Sequence, residues 1–87
     1  MPDVPTQEEF RAVGFTAAAA DHPLSEAGCA IVAEHNGVEP DRMPRAFRYA
    51  PNPWMHTWLE DLGQRRASGM PTHHESGRWL VPSELAP

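Results

Sequence analysis

Lysine is absent from this chain; all seven basic residues are arginine. Cysteine occurs once, at Cys29, which excludes an intrachain disulfide and a cysteine-based zinc site and suits a reducing cytoplasm. Large apolar side chains are scarce, with three Trp, three Phe and one Tyr, and much of the 40% hydrophobic content is alanine. A thin core is therefore expected for an 87-residue domain, one that a partner or a second copy would complete. No apolar run approaches the length of a membrane span, and the opening MPDVPTQEEF lacks the basic and apolar regions of a leader. The chain reads as a single soluble, cytoplasmic domain over residues 1–87. A glycine-rich phosphate loop, a nucleophile elbow and a cysteine beside a base are all missing, so neither catalysis nor a cofactor is expected.

Charge is present but uneven. The net charge is -5, with seven acids against Arg11 in residues 1–40 and six arginines against five acids in residues 41–87. The first part therefore carries about -6 and the second about +1. A uniformly basic nucleic-acid binder is excluded, whereas a local basic face is not.

Helix signals come next. PTQEEF starts a helix over about 7–20, with Thr6 and Glu9 spaced as a capping box and Phe10, Val13, Ala17 and Ala20 near one face. Ser25 caps a second helix over about 26–35, Leu24 and Cys29 are placed as a hydrophobic staple, and Asn36-Gly37 supplies the stop. Small residues Ala27, Gly28 and Ala30 would let another helix approach closely. Prolines at 40, 44, 51 and 53 then forbid a long regular element. One helical turn fits between Pro44 and Ala50, which would bring Arg42, Arg45 and Arg48 onto one face at three-residue spacing. Such a face is either solvated or a phosphate contact.

Asn52 caps a third helix with Pro53 at its first position; Met55, Trp58, Leu59 and Leu62 form the buried stripe, and Ser68-Gly69 ends it. Asp61 and Arg65 are spaced to pair. MPTHHESGRWLVP reads as a hairpin, with strands near 71–74 and 78–81 around a turn at 75–77. Five histidines raise the question of a metal, but His73 and His74 would point to opposite faces of a strand, and the His56–Glu60 pair has no marked third ligand. No metal site is expected.

The pieces Ser68-Gly69, Met70-Pro71, Gly77-Arg78-Trp79, Val81-Pro82 and Ser83-Glu84-Leu85 give residues 54–85 a resemblance to the excisionase and MerR-related winged helix-turn-helix family. The resemblance implies an α+β fold: a three-helix small domain (helical pair 7–35, helix plus wing 52–82) with a C-terminal β-hairpin wing. Trp79 would lock the wing onto the helix carrying Trp58 and Leu62. Trp54, His56, Thr57, Glu60 and Asp61 would lie on or near the recognition helix. Double-stranded DNA would be the partner of a transcription regulator or recombination directionality factor of a mobile element, with Arg42, Arg45 and Arg48 on phosphates, Arg65 and Arg66 at the end of the recognition helix, and Arg78 in the wing. Paired subunits, as a homodimer, would suit such a small module. The alternative is a protein-protein interaction adaptor or inhibitor that uses the acidic helical half together with Phe47, Tyr49 and Trp54 as low-entropy anchors.

Overall fold

A computed structural model of the chain describes residues 4–11 and 16–85. Four α-helical segments occur among them: α1 (Gln7–Arg11), α2 (Glu26–Asn36), α3 (Pro53–Ala67) and the single turn α4 (Pro82–Leu85). Short 3-10 helices at Ala19–Asp21, Pro40–Arg42 and Arg45–Arg48 connect them. No helix among the described residues is long and apolar enough to cross a membrane.

The two long helices start and stop where their caps dictate. Ser25 Oγ accepts the Gly28 N–H to open α2, and Gly37, at φ 68°, closes it in the left-handed conformation that glycine adopts without a Cβ clash. Asn52 Oδ1 accepts the Met55 N–H at 2.8 Å to open α3, and Pro53 occupies the position where a missing N–H costs nothing. Helix α2 packs on α3. Ile31, Val32 and Ala33 face Met55, Trp58, Leu59 and Leu62, and Phe10, Met43 and Ala50 close the cluster. The largest fully buried side chains, Ile31, Val32, Met55, Leu59 and Leu62, each contribute about 1.5–3 kcal/mol of apolar burial. The helices meet backbone to backbone: a Cβ added at Gly63 would lie 2.5 Å from the Ala27 carbonyl carbon.

The proline-rich connection is anchored rather than loose. Leu24 N–H donates to the Arg48 carbonyl at 2.9 Å and Ala50 N–H to the His22 carbonyl at 2.8 Å, pinning residues 48–50 beside the entry to α2. Its 3-10 turns match the proline spacing, because each proline removes a donor that a longer helix would need.

Two expectations are corrected here. The first helix does not run from 7 to 20 as one element: α1 is Gln7–Arg11, and residues 16–18 are non-helical ahead of the 3-10 helix at Ala19–Asp21. Ala17 and Ala20 are exposed and form no apolar stripe; Val13 and the side chain of Glu9, the second half of the capping box, lie outside what the structure describes. The second correction concerns the fold class. No β-strand forms among the described residues, and the C-terminal β-hairpin wing is not present. Residues 72–80 turn back on themselves through Leu80 N–H to Thr72 O, His74 N–H to Arg78 O and Gly77 N–H to His74 O, with a single bridge between His73 and Trp79. Pro71 and Pro82 bracket the segment and supply no N–H to extend a ladder. The turn also lies down on the core: Trp79 Nε1–H donates to His35 Nδ1 of α2 at 3.2 Å, and Trp58 Nε1–H donates to the Leu80 carbonyl at 2.8 Å. The domain is a helical globule, not an α+β winged helix.

Candidate functional site

Four of the six arginines singled out from the sequence have partners within the domain. Arg78 is held by Glu84 through two hydrogen bonds of 2.7 and 3.1 Å, and it also donates to the Trp79 carbonyl. That arginine, together with the Val81 N–H, holds the Glu84 carboxyl at about 2, well below the usual carboxylate range. Arg66 forms a fork with the Glu34 carboxylate, at 2.7 and 2.8 Å, reaches Thr72 Oγ1, and lies over the Trp79 ring with 5.6 Å from Cζ to the centroid. Arg65 Nε donates to the Pro71 carbonyl at 2.8 Å, and Arg48 donates to the Pro40 carbonyl at 3.3 Å. Arg42 and Arg45 are exposed and make no side-chain hydrogen bond or ion pair among the described residues. Arg45 and Arg48 share one 3-10 helix, where residues three apart eclipse, while Arg42 ends a different one beyond Met43 and Pro44.

The three aromatic anchors also separate. Phe47 packs against the core, and Tyr49 is half-buried in its bridge with Pro23. Trp54 faces a cavity. Its ring stacks on Trp58 at 5.9 Å and 24°, and both line a groove of about 330 Å³ with Pro53, Thr57, Asp61 and Pro82. Residues 54, 57, 58 and 61 fall on one stripe of α3 by helical periodicity. Pro82 comes from the opposite wall, brought there because the Leu80 carbonyl is fixed to the Trp58 indole. Asp61 is exposed at this groove, and the expected pair with Arg65 does not form, since Arg65 turns to Pro71. Asp61 makes no ion pair or side-chain hydrogen bond among the described residues.

The remaining polar clusters are occupied with structure. Glu60 reaches from α3 to the start of α2, accepting the Ser25 N–H and the Ser25 hydroxyl, each at 2.6 Å. A carboxylate there complements the positive end of α2. His56 Nε2 lies 2.9 Å from the Pro23 carbonyl. Burial pushes the Cys29 thiol up from its ordinary value and so disfavours the thiolate, against a lowering influence of Arg48. His35 stacks on Phe10 at 3.7 Å; burial first and the Arg11 charge second push its imidazole down. No three His, Cys, Asp or Glu side chains converge among the described residues.

Sequence reasoning placed Trp54 and Asp61 on α3 without pairing them in a groove. Their seven-residue spacing was the available signal; the opposite wall at Pro82 was not legible. No known protein family, no curated protein and no solved structure matches this chain.

Proposed function

We propose that this protein is a non-catalytic protein-interaction module, an adaptor or inhibitor, that docks a segment of a partner polypeptide in the groove between Trp54 and Pro82. The observation that carries the reading is an open apolar groove lined by the partly exposed Trp54 ring, with an uncompensated carboxylate, Asp61, in its wall. Aromatic rings in a groove supply large contact area at small entropic cost, which suits a polypeptide partner. The net charge of -5 suits a cationic partner and repels phosphate. Four of the six arginines first assigned to DNA are engaged within the domain, by Glu84, Glu34 or backbone carbonyls. A DNA-binding regulator is left with Arg42 and Arg45 as phosphate contacts.

Thr57 is exposed in the groove, so Thr57→Arg blocks it without disturbing the core. A partner captured from cell extract, then purified and recombined with the chain, should bind the wild type and lose binding to Thr57→Arg while retaining it with Arg42→Ala/Arg45→Ala. Unchanged partner binding by Thr57→Arg would refute the groove. A salt-sensitive duplex-DNA complex lost in the double arginine variant would favour the regulator instead.

A further inference from the structure

Two indole hydrogen bonds tie the C-terminal turn to the helices, and one of them depends on a group that titrates. Trp58 Nε1–H donates to the Leu80 carbonyl, an acceptor at every pH. Trp79 Nε1–H donates to His35 Nδ1 at 3.2 Å. An indole N–H can only donate, so this bond requires Nδ1 to be bare and the imidazole to carry its proton on Nε2. In an imidazolium both nitrogens carry protons, and no rotation of the ring restores an acceptor. We propose that His35 and Trp79 form a proton-operated latch, in which protonation of His35 Nδ1 releases the indole and frees the turn at residues 73–79 from α2.

The surroundings set the direction of the switch. His35 lines an apolar groove of about 230 Å³ with Phe10, Trp79 and Val81. Burial, and then the Arg11 charge of α1, hold the imidazole below its ordinary value, so the latched form is the neutral one. Two more cations border it: Arg78 of the turn lines the same groove, and Arg66 of α3 lies over the Trp79 ring. The nearby acids are already engaged, Glu34 of α2 by Arg66 and Glu84 of α4 by Arg78. His73 stacks on Trp79 at 4.1 Å and lies 4.0 Å from Glu34, so its own protonation adds a weak, exposed ion pair that opposes release. The carbonyl end of α2 favours imidazolium in both forms and does not distinguish them. Phe10, stacked on His35 at 3.7 Å, can face an imidazolium as readily as an imidazole, so the bond to Trp79 is the contact that a proton breaks. The latched form therefore binds the proton less readily than the released one, and a fall in pH favours release. Both ends of the turn stay tethered, by Arg65 on the Pro71 carbonyl and by Trp58 on the Leu80 carbonyl.

NMR of the full chain reads the latch through the two indole N–H signals, with solvent exchange measured against the intrinsic rate at each pH. Protection of Trp79 Nε1–H should fall about threefold to tenfold as His35 takes up its proton, the worth of one hydrogen bond. That of Trp58 Nε1–H should hold, because its carbonyl acceptor does not titrate. His35→Asn places an amide oxygen near the position of Nδ1 and should remove the pH dependence, whereas His73→Gln should keep it. Parallel loss of protection at both indoles would mean global unfolding and overturn the latch, a comparison that needs no variant. Constant Trp79 protection across the His35 titration would overturn release. A Trp79 transition that survives His35→Asn, or disappears in His73→Gln, would overturn His35 as the sensor.

Discussion

A single methyl group added at residue 63 should separate the two long helices. Gly63 sits in the interior of α3, where alanine would ordinarily stabilise the helix by about 1 kcal/mol. Here a Cβ would stand 2.5 Å from the Ala27 carbonyl carbon, 2.6 Å from its oxygen and 2.8 Å from the Gly28 nitrogen. All three are backbone atoms, so no rotamer change relieves the overlap. Reaching ordinary contact requires α2 and α3 to part by about 1 Å, which loosens the shared packing of Ile31, Leu59 and Leu62. Overpacking of this kind costs about 1–3 kcal/mol, and a rigid backbone obstacle puts the site at the upper end. After the gain in helix propensity, Gly63→Ala is expected to lose about 2 kcal/mol, a fall of about 8–16 °C in melting temperature for a domain of this size. Gln64→Ala is the internal reference, because Gln64 is exposed on the same turn and should change stability by under about 0.5 kcal/mol. Urea unfolding followed by tryptophan fluorescence gives both values, with an unchanged m reporting the same unfolded state. Stability of Gly63→Ala equal to or above the wild type would refute the close crossing.

Three further outcomes follow from the contacts around the ends of α2 and the final turn. His35 is pushed down from the ordinary imidazole value of 6.5, so the folded protein binds fewer protons than the unfolded chain. Stability is therefore complete above about pH 6.5 and falls as the pH drops below it, and His35→Gln should flatten that part of the urea midpoint against pH; a wild-type midpoint that holds constant down to pH 5 contradicts this. Ser25→Ala should cost about 1 kcal/mol as a lost cap, and a cycle with Glu60→Ala should give a coupling of at least 0.5 kcal/mol, since Glu60 grips both Ser25 donors; additive losses would break the link. Glu84 should titrate near 2 by NMR and return toward the usual carboxylate range in Arg78→Ala. Because its folded value is depressed, the stabilisation it provides is present above the ordinary range and fades as acid approaches 2. A carboxyl that titrates normally in the wild type would show that the fork is not formed in solution.

What could be read from the sequence was local. Ser25 and Asn52 as caps, Gly37 as a stop, and Met55, Trp58, Leu59 and Leu62 as a buried stripe each depend on a few neighbouring residues, and the structure has all of them. The α2–α3 crossing was half visible in Ala27 and Gly28; the matching Gly63 looked like any helix glycine, because its role depends on a partner 35 residues away. The final segment misled for a physical reason. Gly77, Arg78 and Trp79 satisfy hairpin rules, yet Trp79 finds His35 and Phe10, and its indole draws the chain onto α2 before a ladder can extend. Tertiary contact outweighs β-propensity when the candidate strands are only a few residues long and flanked by proline.

The fate of the arginines follows from the same thin core. With few large apolar side chains available, this domain fastens its C-terminal half with guanidinium groups: Arg65 to the Pro71 carbonyl, Arg66 to Glu34 and Trp79, Arg78 to Glu84. Each planar fork satisfies several acceptors at once, which a lysine ammonium does less well. A guanidinium engaged in this way must break its internal bonds before it can reach a phosphate, whereas Asp61 has no such commitment and presents its charge to whatever enters the groove. On the docking reading proposed above, that carboxylate favours a basic ligand over an acidic one.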